Sequence, residues 1–172
     1  WWPAGMGDQP LYDLSVGLIE NDVLSDSWQG TVGLTSVRRL QKAADGALLV
    51  NGKSCHIAAV VPVDLVHEQH FLPVAGNSLM IVRGHWGPDV LYEAADRAGI
   101  LLVQCIPVDD DGRPEKTIVE QVDRLSRHPS LAGWYVGHLG QYTERMAYCV
   151  KCLDPTRPVF KELPDASDPQ AA

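Results

Sequence analysis

The chain has 172 residues, of which 45% are hydrophobic, so it is long enough to fill one substantial core or two small ones. Its formal net charge is −8 and Arg38–Arg39 is its only tight basic pair, which argues against nucleic acid or an anionic membrane as the main partner. No apolar run approaches the roughly 18 residues of a membrane-spanning helix. No cofactor or metal motif is recognisable, and the compartment stays open.

The first part of the chain carries the patterns of antiparallel strands. Leu11–Leu18 alternates between apolar and polar residues, and Thr31–Leu40 resumes a strand-like pattern. The stretch Asn21–Gly30 between them is rich in turn formers, which predicts a loop. Trp1, Trp2 and Trp28 fall in this part, where large aromatic residues are normally core.

A hairpin is predicted around Asn51–Gly52. This dipeptide separates Ala47–Val50 from Ser54–Val61, and it supplies the two positive-φ positions that a type I′ turn needs. The organisation then changes, because from Val66 onward short apolar runs alternate with helical stretches. Alternation of this kind is typical of βα units and a parallel sheet.

Five parallel strands with four intervening helices are predicted. One helix should begin after Pro88 and end before Gly99, because proline favours the start of a helix and glycine its end. A solvated helix is also expected around His67–His70. The predicted strands are Ser54–Val61, Leu79–Val82, Ile100–Ile106, Leu131–Val136 and Val159–Phe160. The helix between Pro88 and Gly99 is Asp89–Ala98, and the two that follow are Glu115–Arg127 and Gln141–Cys152.

The predicted fold class is therefore α/β, a partial TIM-like (β/α) barrel of about five parallel strands preceded by a short antiparallel β-sandwich segment. A complete eight-stranded barrel needs about 250 residues, so this chain would stop a little past halfway. The expected organisation is a sandwich segment over residues 1–50, the partial barrel over 51–164 and a flexible tail over 165–172.

Six short motifs in one order carry a resemblance to a known family. Trp1–Tyr12 reads WWPAGMGDQPLY, Leu91–Leu101 reads LYEAADRAGIL and His128–Ala132 reads HPSLA, and each resembles a segment of glycoside hydrolase family 2. The resemblance covers Trp1 to Leu139 and implies the end of an immunoglobulin-like domain followed by the first half of a (β/α)₈ barrel. Further matches lie at Val32–Leu34, Val50–Lys53 and Pro62–Asp64.

The resemblance also implies a chemistry that this sequence has lost. Members of the family hydrolyse β-linked sugars with two glutamates, an acid/base and a nucleophile. The acid/base position, at the end of the fourth strand, falls on Leu139 or Gly140, neither of which can donate a proton. The nucleophile belongs to a later strand that the sequence given does not contain. At other pocket positions, Ile81 stands for an arginine and Cys105 for an aspartate of the family.

Several other residues are weaker candidates near the presumed mouth of the barrel. Glu162 and Glu144 are carboxylates that could have taken over catalysis, although an exposed, solvated role is the more economical interpretation. Asp109–Asp111 is best read as a solvated turn. His85, Trp86 and His138 could hold a sugar ring, because an aromatic side chain and two imidazoles suit such a ligand.

The function predicted from the sequence is that of a family 2-like glycosidase protein or fragment, a hydrolase of O-glycosyl bonds by ancestry that is catalytically inactive as it stands. One alternative is an active β-glycosidase completed by another part of the polypeptide, and another is a structural or protein-interaction module. The partners expected are a carbohydrate and either a second copy or the remainder of a longer polypeptide, with no nucleic acid, membrane, cofactor or metal.

Overall fold

A computed structural model describes residues 1–39, 48–57, 59–62, 78–114 and 116–163. The helix expected around His67–His70 and the tail expected over 165–172 lie outside the described residues. Within the described part, no helix has the length and the apolar content that crossing a bilayer requires.

The chain begins with a two-stranded hairpin. Strands β1 (Tyr12–Glu20) and β2 (Val23–Val32) pair antiparallel across a turn in which both Asn21 (φ 51°) and Asp22 (φ 61°) have positive φ. The loop predicted over Asn21–Gly30 is therefore wrong. Asparagine and aspartate tolerate the left-handed region, so two residues suffice for the turn and the rest of the segment continues as strand.

A second antiparallel sheet contains β3 (Val37–Arg39), β4 (Leu48–Val50) and β5 (Lys53–Cys55). Asn51 (φ 49°) and Gly52 (φ 80°) form the turn between β4 and β5, which confirms the predicted hairpin. The single strand predicted over Ser54–Val61 is wrong, because the chain leaves this sheet at Cys55 and enters another one at Ala59. Because the two ends of the segment pair with strands of different sheets, it forms two short strands in place of one long one.

The third sheet is parallel and its strands follow one another in chain order, so each βα unit places its next strand beside the last. A mixed α/β fold with parallel and antiparallel sheets is thereby confirmed. The strands are β6 (Ala59–Pro62), β7 (Ser78–Val82), β8 (Leu101–Cys105), β9 (Leu131–Tyr135) and β10 (Val159–Phe160), and the helices are α1 (Asp89–Ala98), α2 (Ile118–Ser126) and α3 (Thr143–Leu153).

Helix α1 has the bounds that the sequence predicted. Pro88 precedes its first residue, and Gly99 closes it in the left-handed conformation with its N–H bonded to the carbonyl of Ala95. Glycine is required at this cap for a second reason, because a Cβ there would lie 2.6 Å from the backbone nitrogen of Ala4. The opening segment of the chain therefore packs directly on the end of α1.

Two hydrophobic cores cover the two faces of the parallel sheet. The outer core lies between the sheet and the helices, and it includes Leu102, Trp134 and Val122. The inner core covers the opposite face, where Leu48 and Val50 of the second sheet and Trp1 pack on strand residues. Trp28, by contrast, is 42% exposed, so the expectation that it belongs to a core is wrong. The strand residues of the inner core are Leu79, Leu101, Val103, Ala132 and Phe160.

Buried polar groups anchor the turns that lead into β9 and β10. The carboxylate of Asp96 accepts a 2.7 Å contact from Nδ1 of His128 and a hydrogen bond from the Ser130 N–H. Asp154 is bound by Trp134 Nε1 at 2.9 Å and by Arg157 Nη1 at 3.3 Å. Burial acts to raise the pKa of Asp154, but the hydrogen bonds that it accepts and the guanidinium of Arg157 together hold that pKa below its ordinary value.

Candidate functional site

The carboxyl ends of parallel strands meet at one edge of a sheet, and this edge is where α/β proteins place their ligands. The residues that the resemblance implies at the acid/base position, Leu139 and Gly140, lie just beyond β9. Leu139 is 4% exposed and packs in the outer core, on the helix side of the sheet. Gly140 is exposed and has a φ of 52°. Neither residue offers an ionisable group to this edge.

Glu144, one of the two weak catalytic candidates, is held in a surface ion pair. Both of its carboxylate oxygens lie 2.6 Å from Nζ of Lys161, which follows β10. The side chains of Glu144 and Lys161 are 80% and 49% exposed, so water screens the pair and the carboxylate faces bulk solvent. Glu162, the other candidate, is also exposed.

The turn after β8 holds the aspartates. Oδ1 of Asp109 accepts hydrogen bonds from the backbone N–H of Asp111 at 3.1 Å and of Arg113 at 2.8 Å. An aspartate bonded to the backbone of its own turn is a structural feature of that turn. The structure thus places Asp109 as the solvated-turn interpretation predicts.

The loop that carries His85 and Trp86 is fixed by a fully buried glutamine of β8. Oε1 of Gln104 accepts hydrogen bonds from the Gly87 N–H at 3.1 Å and from the Tyr92 hydroxyl at 2.8 Å. Its Nε2 donates to the carbonyls of His85 at 2.9 Å and Cys105 at 2.7 Å. All four hydrogen-bonding positions of the amide are used, so the loop is tied to the end of β8.

His85 carries a buried nitrogen without a partner. Its Nε2 is enclosed and makes no hydrogen bond within the described residues, whereas the other buried side-chain nitrogens and oxygens of that part are bonded. A buried polar atom left unbonded costs about 1–3 kcal/mol, so such atoms are rare and concentrate where a structure serves a purpose other than stability. Trp86 is half-buried beside it and packs against the outer core.

His138 lies on the other side of the same strand end. Its Nε2 lies 2.9 Å from the carbonyl oxygen of Ile106, so this nitrogen donates the hydrogen bond. The ring stacks on Tyr135, with 5.4 Å between centroids and 20° between planes. The segment that ends β8 thus contacts both the loop of His85 and the side chain of His138.

Sequence reasoning named Cys105 as a pocket position but missed its two neighbours at this edge, Arg83 and Tyr135. Cys105 pairs with Tyr135 in the strand register, and Arg83 lies one residue beyond the Val82–Gln104 pair, near enough for its charge to act on the Cys105 thiol. Burial raises the pKa of that thiol to about 11, although Arg83 acts in the opposite direction. The thiol is neutral at pH 7. A period-2 pattern from Leu79 through Ile81 to Arg83 was the available signal.

Comparisons with known proteins show which class of protein the chain resembles. No family model matches the chain. It is 27% identical over 168 residues to an exo-β-D-glucosaminidase of Streptomyces avermitilis. That alignment covers 80% of this chain and 18% of the relative. It is 30% identical over 175 residues to β-mannosidase A of Aspergillus clavatus, covering 80% of this chain and 19% of the relative. The chain thus spans about a fifth of the length of the curated relatives it matches.

The fold agrees with that class. An exo-chitosanase of Amycolatopsis orientalis superimposes with a TM-score of 0.68 at 22% identity, covering 94% of this chain and 23% of that one. The same enzyme in complex with PNP-β-D-glucosamine gives a TM-score of 0.69. The class that the chain resembles is that of the β-glycosidases. The resemblance to glycoside hydrolase family 2 is confirmed, both by the curated relatives and by the structural neighbours.

Proposed function

We propose that this chain is a family 2 glycosidase-like module that binds carbohydrate at the carboxyl edge of its parallel sheet and does not hydrolyse it. The observation that carries the proposal is the replacement of the acid/base: Leu139 is buried on the helix side and Gly140 has no side chain. Cleavage of a glycosidic bond uses two carboxyl groups, one of which protonates the leaving oxygen, and neither Leu139 nor Gly140 supplies that group.

The parallel sheet is, in this proposal, the first part of a (β/α)₈ barrel. The domains are those expected from the sequence, a sandwich segment over 1–50, a partial barrel over 51–164 and a tail over 165–172. Support comes from the inner face, which is apolar along β7 and β8 and is closed by Leu48 and Val50. Layers of apolar side chains fill the interior of such barrels.

The carbohydrate site in this proposal includes His85, Trp86 and His138. His85 and Trp86 lie on the loop that Gln104 fixes, and His138 lies beyond the neighbouring strand. His85 and Trp86 are half-buried and His138 is exposed. Aromatic and imidazole rings with a few polar atoms suit the mixed apolar and hydroxyl faces of a sugar. The exo-chitosanase that shares the fold binds PNP-β-D-glucosamine, which is consistent with a sugar ligand here.

Hydrolysis of a panel of p-nitrophenyl β-glycosides tests the loss of activity. The wild-type chain, Glu162→Gln and Glu144→Gln are incubated with the glucoside, mannoside, galactoside and glucosaminide, and p-nitrophenol release is followed. We expect the same background release from all three proteins. Release by the wild type that Glu162→Gln or Glu144→Gln abolishes would instead support the alternative of an active β-glycosidase, whose nucleophile another part of the polypeptide supplies.

The hairpin favours a second function, that of an interaction module. Along one face of β1, Tyr12, Leu14, Val16 and Leu18 are between 45% and 55% exposed, and the β2 residue Trp28 pairs with Val16 across this face. A two-stranded ribbon is at best marginally stable alone, and an exposed apolar face of this kind marks a contact surface. We propose that another β-structure covers it, either a second copy or the remainder of a longer polypeptide.

Light scattering separates those two partners. If a second copy covers the face, the mass of the chain rises toward twice its single-chain value with concentration, and Val16→Ser returns it to the single-chain mass. Ser15→Ala, on the opposite face of the same strand, is the control and keeps the wild-type behaviour. A single-chain mass at every concentration would exclude the second copy as the partner.

A further inference from the structure

The end of α3 carries two cysteines that have no role in the sites described above. Cys149 is half-buried, Cys152 is exposed, and both are free thiols. They form a Cys-x-x-Cys sequence inside a helix that runs from Thr143 to Leu153. Residues three apart in a helix are neighbours on its surface, so these two side chains lie on one face. The end of α3 therefore presents two adjacent thiols.

The other two of the four cysteines are inaccessible. Cys55 and Cys105 are 0% and 3% exposed. Burial raises the pKa of the Cys55 thiol and raises that of Cys105 to about 11, so both stay protonated at pH 7. A thiol reacts as the thiolate and must be reached from solvent. We therefore expect the thiol chemistry of the folded chain at Cys149 and Cys152.

Helix geometry brings such a pair close to what a disulfide needs. With a rise of about 1.5 Å per residue and a Cα radius of about 2.3 Å, the Cα atoms of residues three apart are separated by about 5 Å, within the range of about 4.4–6.8 Å found in disulfides. Their Cβ atoms are about 5–6 Å apart, whereas a disulfide holds them at about 3.5–4.5 Å. The bond therefore requires a backbone movement of roughly 1–2 Å.

The position of the pair allows that movement. Cys152 is the last but one residue of α3, and carbonyl groups in the last turn of a helix largely lack intrahelical partners. The Asp154 N–H closes this turn with a 2.8 Å hydrogen bond to the Val150 carbonyl. Just beyond it, Nζ of Lys151 donates to the carbonyl of Pro155 at 2.8 Å, which ties the following segment to the helix. Tightening the turn thus affects the end of α3 and leaves its earlier turns in place.

We propose that Cys149 and Cys152 form a redox-active dithiol, which a low-molecular-weight disulfide such as glutathione disulfide oxidises to a disulfide bond within α3. The Cys152 thiolate attacks one sulfur of the external disulfide, forms a mixed disulfide and expels one thiolate. The Cys149 thiolate then attacks Sγ of Cys152 and expels the second. Two electrons and two protons pass to the external disulfide, which leaves as two thiols. This site is independent of the proposed carbohydrate function.

The resulting bond should be easily reduced. Exposed or strained disulfides have more oxidising potentials than buried structural ones, and here the bond is both. The strain falls on the turn that the Asp154 N–H closes. We therefore expect the Asp154 amide to exchange its hydrogen faster in the oxidised chain than in the reduced one.

Mass spectrometry of the 172-residue chain treated with glutathione disulfide tests the inference. Remaining thiols are alkylated with iodoacetamide under native conditions, and the chain is then unfolded in urea and cut with trypsin. Trypsin cleaves after Lys151, between the two cysteines, so a disulfide keeps the two peptides joined. We expect joined peptides and a loss of about 2 Da, the mass of two hydrogen atoms, which reduced glutathione reverses. Cys55 and Cys105 should be alkylated only after unfolding.

Single variants separate the two thiols. Cys149→Ser should stop at the mixed disulfide, with one glutathione on Cys152. Cys152→Ser should react at least about tenfold more slowly, because the remaining thiol is half-buried. The control is the double variant Cys149→Ser/Cys152→Ser, which should neither lose mass nor gain glutathione. Circular dichroism of each variant checks that the fold is intact.

Three outcomes would overturn the inference. The first is a chain that keeps both thiols after treatment. The second is glutathione retained on Cys149 and Cys152 together, because the two thiols would then be unable to reach each other. The third is a disulfide between two chains, seen as a doubled mass that reductant removes. Unchanged exchange of the Asp154 amide on oxidation would contradict the strained last turn.

Discussion

The two ends of the parallel sheet differ in how their polar groups are partnered. At the amino end, Asp154 is bonded to Trp134 and Arg157, and Asp96 is bonded to His128. At the carboxyl end, Nε2 of His85 is buried and has no hydrogen-bond partner among the residues that the structure describes. The polar groups at the amino end are thus paired with one another, and this difference is what the proposed carbohydrate site at the carboxyl end rests on.

The largest loss of stability is expected from Asp154→Ala at the amino end of the sheet. The side chain of Asp154 is 2% exposed and that of Arg157 11% exposed, so the substitution leaves a buried guanidinium without its counter-charge. We expect the free energy of unfolding to fall by about 3–5 kcal/mol, measured by urea denaturation. A loss below about 1 kcal/mol would mean that this end is not held by its ion pair.

Gly137→Ala breaks the junction between β9 and β10 at the carboxyl end. A Cβ on Gly137 would lie in the space of the carbonyl oxygen of Lys161, so backbone rather than a flexible side chain must move. We expect a loss of about 2–3 kcal/mol in unfolding free energy. Gly112→Ala is the control, because its site is open and only the positive φ of 71° is strained, which costs about 1–2 kcal/mol. Equal losses would contradict the close approach.

Gln104→Leu tests how the loop that carries His85 and Trp86 is held. The leucine keeps the volume of the buried side chain but leaves the Gly87 N–H and the Tyr92 hydroxyl without an acceptor. We expect a loss of about 2 kcal/mol and faster hydrogen exchange of the Gly87 amide, because that N–H loses its partner. Unchanged exchange at Gly87 would show that the loop is held by other contacts. Tyr92→Phe, which removes one of the four bonds, should cost about 1 kcal/mol.

The smallest effect is expected from Glu93→Gln on the surface of α1. Its carboxylate lies 3.9 Å from Arg97, and the two side chains are 49% and 64% exposed. We expect a change of no more than about 0.5 kcal/mol in unfolding free energy. A small loss of unfolding free energy here and a large one for Asp154→Ala would show that burial determines how much an ion pair contributes to stability. A loss above about 1 kcal/mol would contradict that.

Much of the fold could be predicted because its signals are local. Pro88 and Gly99 fix the bounds of α1, and Asn51–Gly52 fixes the hairpin turn. The prediction of one strand over Ser54–Val61 was wrong because an apolar run does not show where the chain leaves one sheet and enters another. The turn at Asn21–Asp22 was hidden by a surrounding stretch rich in turn formers, in which two residues were enough.

The site was less predictable because it depends on register between strands that are distant in sequence. Tyr135, for example, lies beside Cys105 and stacks on His138 only because β8 and β9 pair in this register. The side of the sheet on which Leu139 packs, and the pairing of Glu144 with Lys161, likewise follow from tertiary contacts. The sequence motifs could indicate at which family positions this chain carries a different residue, but not what the residue at each of those positions contacts.

The most direct test of the central claim is a heteronuclear NMR titration of the labelled chain with D-glucosamine and D-glucose, because it maps where a sugar contacts the molecule. The account predicts that chemical-shift changes concentrate on His85, Trp86 and His138, beyond the carboxyl ends of β7 and β9. Changes confined to the amino end, around Asp96 and Asp154, or no changes with either sugar, would contradict it.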